Sequence, residues 1–217
     1  MNLQLVIFDV DGLMIDSERI WSEAFEKAGK VLGIPVSGKD IFCEVVGKSG
    51  EDSKRIIEKY LHEDTETFRS MAHEIGFHEL SQHIPVKPGL YELLDTLEEL
   101  QIPKAVATST VYELTKQRLD RIGVYDRFDF VICGDEVMHK KTNPEIYNRI
   151  LEHFQIDSQS ALVLEDSYYG VEAAHNAYIP CIMVPDLLEP TEIQKQTATA
   201  IMKDLNEVKQ YIESIKK

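Results

Sequence analysis

Two aspartates, Asp9 and Asp11, follow a short apolar run, with one residue between them and Gly12 after. Glu165 and Asp166 follow a second such run, Thr108, Ser109 and Thr110 close a third, and Lys140 and Lys141 precede a segment of helical period. Brought together, these positions supply four carboxylates, several hydroxyls and an ammonium. Four carboxylates at low effective dielectric repel one another by several kcal/mol unless a cation sits among them. Ligands that are all oxygen point to Mg²⁺. A crevice holding Mg²⁺, one lysine and hydroxyl or backbone N–H donors suits a phosphoryl group. An aspartate beyond metal duty could attack phosphorus and form an acyl phosphate.

Such convergence needs a particular architecture. Residues 3–8 form a nearly continuous apolar run, as expected of a strand covered on both faces, and residues 105–108, 130–133, 161–164 and 181–184 repeat the pattern. Helix-period segments at 88–100, 111–122, 144–154 and 168–177 alternate with them. The alternation predicts an α/β fold with a doubly wound parallel sheet, whose ligand crevice lies outside the carboxyl ends of the strands. That is where the polar residues fall.

Residues 15–83 differ, with helical periodicity throughout and no convincing strand; Ser17, Trp21, Ala24, Phe25, Ala28 and Leu32 share one helical face. The pattern predicts an all-helical cap domain over 15–83, inserted into a core made of 1–14 and 84–217, with hinges near 13–16 and 82–88. Two short connections suit a movable lid. A closing amphipathic helix is expected over 203–215, with Leu205, Val208, Ile212 and Ile215 on its apolar side.

Composition narrows the partners. The 217 residues carry 38 acidic and 23 Lys or Arg side chains, a formal charge of −15, and 43% are hydrophobic. That balance excludes a disordered chain and argues against nucleic-acid or anionic-membrane surfaces, which are held by clustered Lys and Arg. Cys43, Cys133 and Cys181 have no metal or disulfide spacing and are expected as small buried hydrophobes. Asp9 and Asp11 break the first apolar run far short of a signal or membrane segment. A cytoplasmic monomer is the expectation.

The string Asp9-Val10-Asp11-Gly12, with Asp16-Ser17-Glu18 soon after, resembles the first motif of the haloacid dehalogenase superfamily, in its β-phosphoglucomutase-like branch of sugar-phosphate phosphatases. Thr108 is similar to the second motif, Lys141 with Pro144-Glu145-Ile146-Tyr147 to the third, and Leu164-Glu165-Asp166-Ser167 with Gly170 to the fourth. The resemblance implies Asp9 as nucleophile and Asp11 as general acid, then base. It implies Mg²⁺ held by Asp166 and Glu165 with an Asp9 oxygen and the Asp11 backbone carbonyl. Thr108 and the Ser109 N–H would bind phosphate oxygens, and Lys141 would neutralise charge shared between Asp9 and phosphate. The substrate would be a small phosphorylated metabolite. Asp11 favours phosphoryl chemistry over dehalogenation, because a departing halide needs no proton. Thr142 stands where the third motif usually has its first proline; the spacing to Pro144 selects Lys141 over Lys140.

Blander readings remain for each feature: a turn for Asp9 and Asp11, an N-cap pair for Glu165 and Asp166, a strand-end hydroxyl for Thr108. In the cap, Trp21, Gly47 and Lys48 are candidates to face substrate, and Trp21 serves equally as core. Gly47-Lys48-Ser49 does not complete a P-loop, since Phe42 occupies the required glycine position. The histidines lack metal-ligand spacing and are expected on the surface. Three alternatives to hydrolysis stay open. A mutase of this branch would carry a histidine and an arginine where this chain has Trp21 and Gly50, a phosphonatase would need a cap lysine such as Lys48 or Lys39, and a binding module would have no use for Asp11.

Overall fold

The computed structural model describes residues 2–46, 48, 50–61 and 64–216. The chain divides into two compact units, Met1–Ile15 with Val86–Lys217, and Asp16–Pro85. The larger unit carries six parallel strands, β1 (Leu5–Phe8), β2 (Lys104–Ala107), β3 (Phe130–Ile132), β4 (Ala161–Glu165), β5 (Cys181–Met183) and β6 (Ala200–Ile201). Their order across the sheet is β3-β2-β1-β4-β5-β6, so β1 lies between β2 and β4. The chain moves outward from β1 in one direction and then crosses to the other, which opens a crevice at the carboxyl ends of these three strands. The doubly wound parallel sheet is therefore as expected.

β1, β2, β4 and β5 are buried along their whole length, which is why, apart from Lys104 and Glu165 at strand ends, their sequences read as apolar runs rather than alternating ones. Helices α5 (Leu90–Glu99), α6 (Tyr112–Arg121), α7 (Glu145–Phe154), α8 (Tyr168–Asn176), α9 (Glu192–Thr197) and α10 (Leu205–Ile215) complete this unit. Ile146, Tyr147 and Ile150 of α7 and Val171, Ala173 and Ala174 of α8 join Leu5, Ile7, Ala105 and Val163 in one core. α10 begins where Asp204 accepts from the backbone N–H groups of Asn206 and Glu207, a side-chain cap that fixes its start, and packs on α5. β6 and α9 have no counterpart in the sequence reading: a two-residue strand held through Thr199 N–H to Cys181 and Met202 N–H to Met183 leaves no periodic signal.

The smaller unit is helical: α1 (Ser17–Val31), α2 (Gly38–Val45), α3 (Gly50–Leu61) and α4 (Thr65–Gln82). α1 packs on α2 and α4, with Phe25 meeting Phe42 and Phe68 edge-on at 5.1 and 5.2 Å. Lys27 and Glu79 pair across α1 and α4 at 2.8 Å. His73, His78 and His83 are exposed, as expected. Cys133 and Cys181 are buried but Cys43 is exposed, a correction to the reading of all three as buried hydrophobes: it falls on the outer face of α2, opposite Ile41, Phe42 and Val45. Among the described residues no helix is long and apolar enough to cross a membrane.

Candidate active site

Asp9 leaves β1 directly, its N–H donating to the Leu164 carbonyl at 3.1 Å as β1 continues alongside β4. A tight buried turn follows, in which Met14 and Ile15 N–H groups donate to the Val10 carbonyl and Gly12 N–H donates to Ile15. Gly12 has φ +92°, and a Cβ there would lie 2.1 Å from Asp166 Oδ2. Both conditions select glycine. The turn thus brings backbone against the Asp166 carboxylate, which leaves β4 one residue after Glu165.

Lys141 ties the strand ends together. Its ammonium donates to Asp9 Oδ1 at 2.7 Å, Glu165 Oε1 at 2.6 Å and the Ala107 carbonyl at 2.9 Å, so one cation touches the ends of β1, β4 and β2. Lys141 Nζ and both carboxylates are almost wholly buried, whereas Lys140 is exposed. The loop before α7 is shaped by Glu145, which accepts from the backbone N–H groups of Met138 and His139, and by Asn143, which accepts from Glu145 N–H.

Burial is the dominant influence on these charges. It pushes the Asp9 carboxyl up to about 7; Lys141 pulls the other way, and the nearby Glu165 charge adds to the rise. Burial also works against the charged form of Lys141, but the Asp9 and Glu165 charges outweigh it and hold the ammonium above its ordinary range. Burial keeps the Tyr147 phenol protonated well above its usual range, so it donates to Glu165 Oε1 at 3.0 Å. Glu165 Oε2 accepts from the Ser167 N–H and hydroxyl at 3.2 and 2.9 Å. Both Glu165 oxygens are therefore occupied by protein donors.

Asp9, Glu165 and Asp166 each offer a carboxylate oxygen within 4.8 Å of the others. This all-oxygen donor set fits a hard divalent cation. Three carboxylates here face the single Lys141 ammonium, an excess of acidic groups that a cation would offset.

At the end of β2, Thr108 is buried; its N–H donates to the Ile132 carbonyl and its hydroxyl accepts from Thr110 N–H at 3.1 Å. Ser109 follows, exposed. Asp11, in the turn after β1, accepts from Thr110 Oγ1 and from Arg118 Nη1, each at 2.7 Å. Asp9, Asp11, Thr108, Lys141, Glu165 and Asp166 are thus linked, directly or through one residue, at the carboxyl end of the sheet. Of the helical unit's candidates, Trp21 meets Phe77 and His73 edge-on at 5.2 and 5.6 Å, its ring filling space that a Cβ on Gly76 would need. Lys48 is exposed between α2 and α3, and Gly47 lies outside the described residues. Arg118 had no place in the sequence reading, and Thr110 entered it only as one of the polar residues that close the β2 run, with no role assigned. The available signal was a charged residue at 118 beside Thr115 and Leu119 on the buried face of α6.

The chain matches the haloacid dehalogenase-like hydrolase family over residues 6–184. It is 31% identical to a phosphorylated carbohydrates phosphatase of Thermotoga maritima, over 93% of this chain and 94% of that protein. It is 28% identical to a phosphoglycolate phosphatase of Aquifex aeolicus, over 81% of each. A solved Thermotoga maritima structure, provisionally assigned as a β-phosphoglucomutase, superposes with a TM-score of 0.82 at 28% identity, covering 98% of this chain and 100% of that one. The family match begins within β1 and closes just after β5, spanning every strand end that carries a site residue; the chain belongs to the haloacid dehalogenase-like hydrolases.

Proposed function

We propose that the protein is a Mg²⁺-dependent phosphomonoester hydrolase acting on a small phosphorylated metabolite, a sugar phosphate by class. The observation that carries this reading is the meeting of Asp9 with the Lys141 ammonium and with the Asp166 and Glu165 carboxylates at the strand ends. The names of the relatives, phosphatases of phosphorylated carbohydrates and of phosphoglycolate, support the substrate class.

Asp9, Asp166 and the Asp11 backbone carbonyl would hold the cation directly; Glu165, already accepting from Lys141, Tyr147 and Ser167, completes the carboxylate group and carries the lysine. When bound, Mg²⁺ neutralises carboxylate charge and polarises phosphoryl oxygens. Thr108 and the Ser109 N–H bind phosphoryl oxygens, and Lys141 offsets charge shared between them and Asp9. An Asp9 oxygen attacks phosphorus as the bond from phosphorus to the leaving oxygen breaks, and Asp11 gives its proton to that oxygen. Water then attacks the aspartyl phosphate, Asp11 takes the water's proton, and the bond to Asp9 breaks to release phosphate. We assign the helical unit the role of cap.

The test is phosphate release from a panel of sugar phosphates, nucleotides and other small phosphomonoesters, with EDTA and Asp9→Asn controls. Release should require the metal and fall by at least about 10⁴-fold in Asp9→Asn. Turnover near wild type in that variant would reject Asp9 as nucleophile. Release confined to assays containing a sugar bisphosphate activator would favour a mutase instead.

A further inference from the structure

Asp11 is gripped from two sides by groups to which the reaction proposed above gives no task. Arg118 Nη1 donates to Asp11 Oδ1 and Thr110 Oγ1 donates to Asp11 Oδ2, each at 2.7 Å. Arg118 lies in α6, 107 residues away in sequence, and is 7% exposed. Its neighbours on the buried face of α6 are Thr115 and Leu119, whereas Arg121, one turn on, is exposed. Placing a guanidinium among buried side chains costs several kcal/mol of hydration unless a well-aligned partner offsets it. Here the partner is the carboxylate to which proton transfer is assigned. Thr110 N–H also donates to the Thr108 hydroxyl at 3.1 Å, so one short segment after β2 touches both the proton-transfer group and a phosphate-binding hydroxyl.

We infer that Arg118 is a positioning residue for Asp11, forming with Thr110 a two-point clamp that fixes the carboxylate's direction for proton delivery to the leaving oxygen and proton removal from water. No bond to Arg118 forms or breaks in either step. The inference rests on the reading of Asp11 as general acid and base. A carboxylate on a turn can swing about its side-chain torsions, and a misplacement of about 1 Å in a reacting group can cost about 10²-fold in rate. Two charge-assisted or hydroxyl hydrogen bonds to its two oxygens remove that freedom.

Leaving-group dependence separates this role from a merely structural one. An alkoxide needs the Asp11 proton as it departs; p-nitrophenolate does not. Wild type, Arg118→Met, Arg118→Lys, Thr110→Val and Asp11→Asn would be followed by rapid quench on p-nitrophenyl phosphate and on the best alkyl phosphate of the panel. In Arg118→Met the first turnover of the alkyl ester should slow by about 10- to 100-fold, with KM within about threefold of wild type. The first turnover of p-nitrophenyl phosphate should change by less than about threefold, followed by slow steady-state release as phosphoenzyme accumulates. Arg118→Lys should recover part of the alkyl-ester rate, and Thr110→Val should show the same pattern more weakly.

Equal slowing of both first turnovers, wild-type rates on both, or a rise in KM alone would overturn the clamp. If circular dichroism shows Arg118→Met unfolded, the lysine and valine variants decide, and absence of leaving-group dependence in both overturns it. Asp11→Asn separates the two levels. Should it lack the leaving-group difference, the acid–base reading of Asp11 fails; should it show the difference while the Arg118 and Thr110 variants do not, only the clamp fails.

Discussion

On the proposed function, Asp9 is the residue on which protonation and metal binding would compete. Burial raises its carboxyl from an ordinary 3.8 to about 7, so between those values the folded chain holds a proton that the unfolded chain has lost. Because the native state binds the extra proton, the contribution of this group to stability in the absence of metal declines as pH rises from about 4 to about 7. A divalent cation must displace the same proton, so affinity for Mg²⁺ should weaken about tenfold per pH unit below about 7. Calorimetric titration at pH 6 in two buffers of different ionisation heat should reveal about one proton released per ion, and none in Asp9→Asn. Buffer-independent heats for the wild type would contradict the assignment. Lys141 stays charged over this range, since the two carboxylates it touches hold it above its ordinary value despite burial.

The turn after β1 positions three groups at once: the Asp9 side chain, the Asp11 side chain and the backbone facing Asp166. Gly12→Ala would demand a side chain at φ +92° and a Cβ 2.1 Å from Asp166 Oδ2. Strain of this kind costs about 1–3 kcal/mol, and relief requires moving the Asp166 carboxylate. The variant should melt lower and bind Mg²⁺ at least about tenfold more weakly, the latter read by the same calorimetry; unaltered metal affinity would separate Gly12 from the metal site. The elements here were legible because fully buried parallel strands write uninterrupted apolar runs, and polar residues cluster where those runs stop. Lys141 could be told from Lys140 by its spacing to Pro144, and the structure puts it against Asp9 and Glu165. Arg118 was not legible, because a polar residue on a helix gives no hint of a carboxylate 107 residues away. Nor was the occupation of both Glu165 oxygens, which depends on Tyr147 and Ser167 converging in space. β6 is too short to carry a period at all.

At the scale of the whole chain, the connections at either end of the helical unit are tied to each other. Ile15 and Val86 form an antiparallel bridge, Lys87 N–H donates to the Met14 carbonyl at 2.9 Å, and Asp16 N–H donates to the Pro85 carbonyl at 2.8 Å. A tight two-residue Asn-Gly turn suits a join between antiparallel segments, so a chain in which such a turn replaces Asp16–Pro85 should fold with its sheet intact. It should keep Mg²⁺ binding and slow hydrolysis of p-nitrophenyl phosphate while losing discrimination among sugar phosphates. Retained discrimination would remove the helical unit from substrate choice, and an unfolded product by circular dichroism would show that the larger unit does not stand alone. Because entry and exit are bridged at Ile15 and Val86, the sheet should meet the same boundary whether the insertion is long or short. If the helical unit chooses the substrate as proposed, lengthening, shortening or exchanging what lies between Ile15 and Val86 should leave the strand registers and the strand-end residues where they are, so that substrate range could change without renegotiating the chemistry.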